Sequence, residues 1–78
     1  MIRYKIMVID DDRLLRESLR DVLSEKYDIA ISGSGEEGIK YLKSHPIDLI
    51  LLDIRLPGVD GIETLKLIRE SGIEASIL

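Results

Sequence analysis

The chain has 78 residues, 45% of them hydrophobic and 33% charged, and a formal net charge of -4 at pH 7. These values exclude a disordered chain, favour one small folded domain, and argue against nucleic acid as a direct partner. The absence of cysteine excludes disulfides and thiolate chemistry, and no apolar run approaches the roughly 20 residues of a membrane span. We therefore expect a cytoplasmic protein.

Four apolar runs alternate with segments of helical periodicity, which predicts strands and helices in turn. Asp12, Ser34 and Asp60 each stand where a helix N-cap is expected, and Glu follows the last two at capping-box spacing. The predicted strands cover about residues 4–10, 27–31, 48–53 and 74–78, and the predicted helices about 12–25, 34–44 and 60–72.

Each predicted helix carries an apolar stripe that we expect to face a sheet. Alternating strands and helices predict an α/β fold, in which an open parallel sheet with right-handed crossovers has helices on its faces. A ligand site in such a sheet lies beyond the carboxyl ends of the strands, where the strand order reverses. The expected inward-facing residues are Leu15, Leu19, Val22, Leu23, Ile39, Leu42, Ile62, Leu65 and Ile68.

Two of the apolar runs end in acidic residues. The run Leu49–Leu52 is followed by Asp53, and the run Lys5–Ile9 is followed by Asp10-Asp11-Asp12. If these two strands are neighbours, about 4.8 Å apart, their terminal carboxylates converge at one edge of the sheet. Two structural alternatives remain open: the triplet could simply favour the start of the first helix, and Asp53 could bind loop amides.

Converging carboxylates repel one another, so they recruit a cation or a proton. Oxygen ligands with no histidine or cysteine nearby favour Mg²⁺. A divalent cation beside an aspartate nucleophile is an arrangement for phosphoryl transfer, in which an aspartyl-phosphate forms. The acidic strand ends are therefore compatible with a phosphoryl-transfer site, and the two structural alternatives stay open beside it.

The same residues resemble a known family, the receiver domain of two-component response regulators. The motifs that carry the resemblance are Ile6-Met7-Val8-Ile9-Asp10-Asp11-Asp12 with Leu14-Leu15-Arg16, and Asp48-Leu49-Ile50-Leu51-Leu52-Asp53-Ile54-Arg55-Leu56-Pro57-Gly58-Val59-Asp60-Gly61. The second motif is long and specific, and the first is weaker but correctly placed.

The resemblance implies a flavodoxin-like sheet and a phosphorelay role without enzymatic turnover. It implies that Asp53 accepts phosphate from a sensor histidine kinase. It also implies that Mg²⁺ is held by Asp10, Asp11 and Asp53, with the main-chain carbonyl of Arg55 completing the protein ligands.

Receiver domains of this family have five strand–helix units, whereas residues 1–78 match the first three and the start of strand four. The family's switch Thr or Ser, its phosphate-binding Lys and part of its output face lie beyond that point. We therefore expect a truncated receiver with an impaired switch. Its open sheet edge and bare face should drive homo-oligomerisation.

Two other functions are open. One is a self-assembling receiver fragment, a folding or engineering product without signalling activity. The other is a phosphatase of the haloacid dehalogenase type, suggested by Asp10-x-Asp12 after an apolar strand. That family continues with Gly and Thr or Val, whereas this chain continues with Arg13-Leu14, so we consider the phosphatase less favoured.

Overall fold

The computed structural model describes residues 3–53 and 61–78. Within these ranges the chain forms four strands and three helices in strict alternation. The strands are β1 (Lys5–Ile9), β2 (Asp28–Ser32), β3 (Leu49–Leu52) and β4 (Ser76–Ile77), and the helices are α1 (Arg13–Leu23), α2 (Gly35–Leu42) and α3 (Gly61–Glu70).

The strands form one parallel sheet in the order β2-β1-β3-β4. The chain leaves β1 toward β2 on one side and returns to place β3 on the other, so the strand order reverses between β1 and β3. This confirms the predicted open parallel α/β sheet. It also makes the carboxyl ends of β1 and β3 the expected location of a ligand site.

The second strand begins one residue later than predicted, at Asp28 instead of Tyr27. The amide of Tyr27 donates to the carbonyl of Leu23 at 2.9 Å and so belongs to the end of α1. Asp28 is the first residue in register with β1, where it pairs with Lys5. The C-terminal hydrogen bonds of the helix therefore set the start of the strand.

Side-chain caps start the first two helices where the sequence predicts them. The Asp12 carboxylate accepts a hydrogen bond from the amide of Leu15 at 3.1 Å, and the Ser34 hydroxyl accepts one from the amide of Glu37 at 3.2 Å. Each bond satisfies a donor that a helix leaves unpaired in its first turn. The third expected cap, Asp60, lies outside the described residues. No helix in the described ranges is long and apolar enough to cross a membrane.

One face of the sheet packs against α2 and α3 and forms the core. Met7, Ile9 and Ile50 point into it from the two central strands and are at most 1% exposed. Leu42 of α2 and Ile68 of α3 cover them, as their place in the apolar stripes predicts. Central strands buried this fully explain why their sequences are nearly continuous apolar runs.

Among the described residues, α1 alone covers the opposite face, and the cover is thin. No residue of α1 is buried, and Val22, which the stripe predicts to face the sheet, is 71% exposed. A groove of about 520 Å³ opens beside the helix end, lined by Leu23 from α1 and by Ile6, Leu49 and Leu51 from the sheet. The apolar stripe of α1 thus has too few neighbours among the described residues to bury it.

One residue of the predicted inward-facing stripe of α3 is exposed in the structure. Ile62 is 57% exposed, whereas Ile68, in the same predicted stripe, is fully buried. The buried face of α3 runs through Gly61, Thr64 and Ile68, and Ile62 lies about 120° around the helix from Ile68, outside that face.

Two glycines of α2 allow close packing with the core. A Cβ at Gly35 would clash with the side chain of Thr64 on α3, and a Cβ at Gly38 would lie 2.6 Å from Cδ1 of Ile9. Thr64 is fully buried and β-branched, so it has little freedom to move away. The close contact of α2 with α3 therefore depends on Gly35.

We predict that Gly35→Ala destabilises the fold despite the better helix propensity of alanine. Overpacking a core costs about 1–3 kcal/mol, which exceeds the 0.5–1 kcal/mol or so that alanine gains over glycine in a helix. Urea unfolding should show the loss, and Lys40→Ala on the exposed side of α2 is the control. The cost should shrink in a Thr64→Ala background, and an equal cost in both backgrounds would contradict the proposed contact.

Candidate metal site at the carboxyl edge of the sheet

Backbone pairing fixes two aspartates side by side at the end of the sheet. Ile9 pairs with Leu52, so Asp10 and Asp53 follow the last paired residues of β1 and β3. The amide of Asp53 donates to the carbonyl of Ile9 at 2.9 Å, and the amide of Asp10 donates to the carbonyl of Ser32 at 3.0 Å. The main chain at both aspartates is therefore held by hydrogen bonds to a neighbouring strand.

The carboxylates converge as the adjacency of the two strands predicts. One oxygen each from Asp10, Asp11 and Asp53 lies within 4.8 Å of the others. Asp10 and Asp53 are half-buried, whereas Asp11 is exposed. Three negative charges at this separation repel one another, and partial burial weakens the screening by water.

A small hard cation fits these ligands. Mg²⁺ takes oxygen ligands at 2.0–2.1 Å in an octahedron, which places neighbouring ligand oxygens about 3 Å apart and opposite ones about 4.2 Å apart. The observed spread of up to 4.8 Å needs only small rotations of the side chains to reach this geometry. The donor set is carboxylate only, so it suits Mg²⁺ better than zinc or copper.

The third aspartate of the triplet has a structural role. Asp12 caps α1 with its carboxylate, and its amide donates to Oδ1 of Asp10 at 2.9 Å. Its carbonyl accepts the amide of Arg16 at 3.0 Å, the first hydrogen bond of the helix. Asp12 therefore links the acidic site to the helix, which agrees with the cap role expected from the sequence.

A cleft of about 250 Å³ lies beside the site and includes both Asp10 and Asp53 in its lining. Its other walls are apolar and come from Val8, Leu19 and Leu51. The remaining expected ligand, the carbonyl of Arg55, lies outside the described residues. Arg16 also belongs to this region, although the sequence does not predict it there, because its Nη1 donates to the carbonyl of Asp10 at 2.8 Å.

Comparison with known proteins identifies the family. Residues 6–78 match the family model described as the response regulator receiver domain. The nitrate/nitrite response regulator protein NarL of Escherichia coli K12 is 40% identical over 76 residues, which cover 94% of this chain and 35% of NarL. The chain thus spans about a third of the length of the curated relatives it matches.

Solved structures show the same fold. Response regulator protein TrrA from Thermotoga maritima, in complex with Mg²⁺-BeF, has a TM-score of 0.86 and 39% identity, covering 95% of this chain and 65% of TrrA. The signal receiver domain of a putative Luxo repressor protein from Vibrio parahaemolyticus has a TM-score of 0.88 and 25% identity, covering 97% of this chain and 59% of that one. With its parallel sheet and its converging aspartates, the chain belongs to the receiver-domain family of response regulators.

Proposed function

We propose that this chain is a phosphoacceptor module, in which Asp53 takes a phosphoryl group from a sensor histidine kinase. The observation that carries the proposal is the convergence of the Asp10, Asp11 and Asp53 carboxylates at the carboxyl ends of β1 and β3. The similarity to TrrA, a response regulator seen with Mg²⁺-BeF, supports it. As a receiver domain the chain is not a classical enzyme.

In the proposed reaction a carboxylate oxygen of Asp53 attacks phosphorus, and the bond from phosphorus to the donor nitrogen breaks. The electron pair of that bond stays on the donor imidazole, and Asp53 becomes an acyl phosphate. Bound Mg²⁺ would supply positive charge for the phosphoryl oxygens. Asp10 and Asp11 hold the cation together with Asp53, and the carbonyl of Arg55 completes the proposed ligands.

The placement of Asp53 supports its role as the nucleophile. Its backbone is fixed to β1, its side chain is half-buried, and the cleft beside it leaves room for a donor group to approach. We further propose that residues 1–78 form one domain that acts in the cytoplasm, without direct contact to nucleic acid or membrane. The net charge of -4 argues against direct binding of nucleic acid.

A specific observation favours a second function, self-association. The α1 face carries an apolar groove of about 520 Å³ with Leu49 and Leu51 in its floor. Tyr4, Val22 and Leu78 are also more than half exposed. Exposed apolar surface of this kind favours contact with another chain, and the edge strands β2 and β4 offer further pairing. We therefore propose a homo-oligomer formed through this face and a sheet edge, with or without phosphorylation.

The phosphatase alternative loses support at Asp12. A haloacid dehalogenase-type mechanism would use the second aspartate of Asp10-x-Asp12 as its acid/base. The Asp12 carboxylate instead accepts the amide of Leu15 as the cap of α1. It is also absent from the cluster that Asp10 forms with Asp11 and Asp53.

Mg²⁺ should stabilise the folded chain, because it neutralises the repulsion among the carboxylates. A ligand at 100 times its Kd adds about 2.7 kcal/mol to the free energy of unfolding, which raises the Tm of a domain this small by roughly 10 °C or more. Asp53→Asn should raise the Tm without metal and reduce the Mg²⁺ response, whereas Asp21→Asn on α1 should change neither. If Mg²⁺ raised the Tm of Asp53→Asn as much as that of the wild type, the result would contradict the proposed metal site.

Incubation with Mg²⁺ and a small acyl phosphate should add one phosphoryl group, measured by intact mass. The adduct should disappear in Asp53→Asn and persist in Asp21→Asn, and peptide mapping should place it on Asp53. Steady phosphate release that does not need Asp53 would support the phosphatase. The absence of any adduct on a folded, Mg²⁺-binding chain would support the self-assembling fragment.

Light scattering should give a mass above that of the monomer, because the groove on the α1 face is buried between chains. Val22→Lys should lower the mass toward the monomer, since it places a charge on that face. Ser24→Lys is the matched control, because it lies about 200° around the same helix from Val22. A wild-type chain that stays monomeric across the micromolar range would refute self-association.

A further inference from the structure

Arg16 contacts both ends of the segment that carries the metal ligands. Its side-chain Nη1 donates to the carbonyl of Asp10 at 2.8 Å, and its own amide donates to the carbonyl of Asp12 at 3.0 Å. Asp11 lies between these two anchor points. One residue of α1 therefore holds the backbone from which two of the three clustered carboxylates extend.

The guanidinium group of Arg16 packs closely against a neighbouring segment of the chain. It lies against Gly33, in the segment between β2 and α2, where an added Cβ would be 3.0 Å from Nη1 and 3.4 Å from Cζ. Its Nε is buried and has no hydrogen-bond partner among the described residues. A buried donor without a partner lowers stability, so fold stability alone does not explain this placement.

We infer that Arg16 is a positioning residue for the proposed Mg²⁺ site, an inference that rests on the proposed function. Its hydrogen bond to the Asp10 carbonyl fixes the segment so that Asp10 and Asp11 face Asp53. The charge of the guanidinium opposes cation binding, whereas the fixed backbone favours it. Groups that orient metal ligands typically contribute about 10- to 100-fold in affinity, so the positioning effect dominates.

Loss of the backbone positioning should weaken Mg²⁺ binding, whereas loss of the positive charge should strengthen it. Isothermal titration of the whole chain with Mg²⁺ therefore tests the inference. Arg16→Ala should weaken binding about 10-fold or more. The matched control is Arg13→Ala, which removes the same charge from the same helix. The Arg13 side chain is 81% exposed and paired only with Glu17 in the described contacts. Its removal should leave Mg²⁺ affinity at or slightly above the wild-type value.

Two milder variants keep the test decisive if Arg16→Ala does not fold. Arg16→Lys keeps the charge and one donor, so it should restore part of the affinity. Gly33→Ala should weaken binding while every charge remains, because its methyl group would lie 3.0 Å from Nη1 and require the guanidinium to shift by a few tenths of an ångström. Circular dichroism and thermal unfolding in a chelator identify the folded variants, and Mg²⁺ affinity is compared only among those.

The possible outcomes separate the two proposals. A wild-type chain that binds no Mg²⁺ would overturn the proposed function and this inference with it. A wild type that binds Mg²⁺ while Arg16→Ala binds as tightly as Arg13→Ala, or more tightly, would overturn the inference alone. If Arg16→Ala does not fold, wild-type Mg²⁺ affinity in both Gly33→Ala and Arg16→Lys would also overturn the inference alone. Weaker binding in Arg16→Ala or Gly33→Ala, with Arg13→Ala unaffected, supports the positioning role.

Discussion

Parallel pairing of β1 with β3 is the interaction on which the site depends. The hydrogen bond from the Asp53 amide to the Ile9 carbonyl joins the two strand ends, and their side chains must then share one corner of the sheet. Backbone bonds therefore hold like charges together that would separate in a flexible chain. This repulsion lowers the stability of the metal-free chain, and the packing of the rest of the fold must offset it.

The core lies directly beneath that corner. Ile9 and Ile50 are fully buried against α2 and α3, and Ile9 immediately precedes Asp10. A carboxylate that extends from a strand packed in this way has little freedom of position, which favours precise ligand geometry. The opposite face is packed more loosely around α1. The hydrophobic core cluster thus lies on one side of the sheet, while the other side keeps apolar surface available for contact.

The features that the sequence could predict are those that depend on hydrophobic periodicity and on the chemistry of single side chains, such as helix caps. Apolar runs ending in aspartate fixed the strands and the site edge, and cap residues such as Asp12 fixed where α1 begins. The exposure of Val22 was not predictable, because a stripe shows which side of a helix is apolar and not whether a neighbour covers it. Ile62 is exposed for a different reason, because it lies outside the buried face of α3. Arg16 was also missed as a site residue, since its partner is a backbone carbonyl, which leaves no mark in the sequence.

Manganese titration followed by NMR tests the convergence of the carboxylates most directly, because the paramagnetic ion broadens amide signals near its binding site. We predict that substoichiometric Mn²⁺ selectively removes the signals of Asp10, Asp11 and Asp53 and that excess Mg²⁺ restores them. The amides of Lys5 and Asp48, at the other end of β1 and just before β3, should stay sharp. Broadening centred on another acidic group, such as Glu36 and Glu37, or no selective broadening, would contradict a shared metal site at this edge of the sheet.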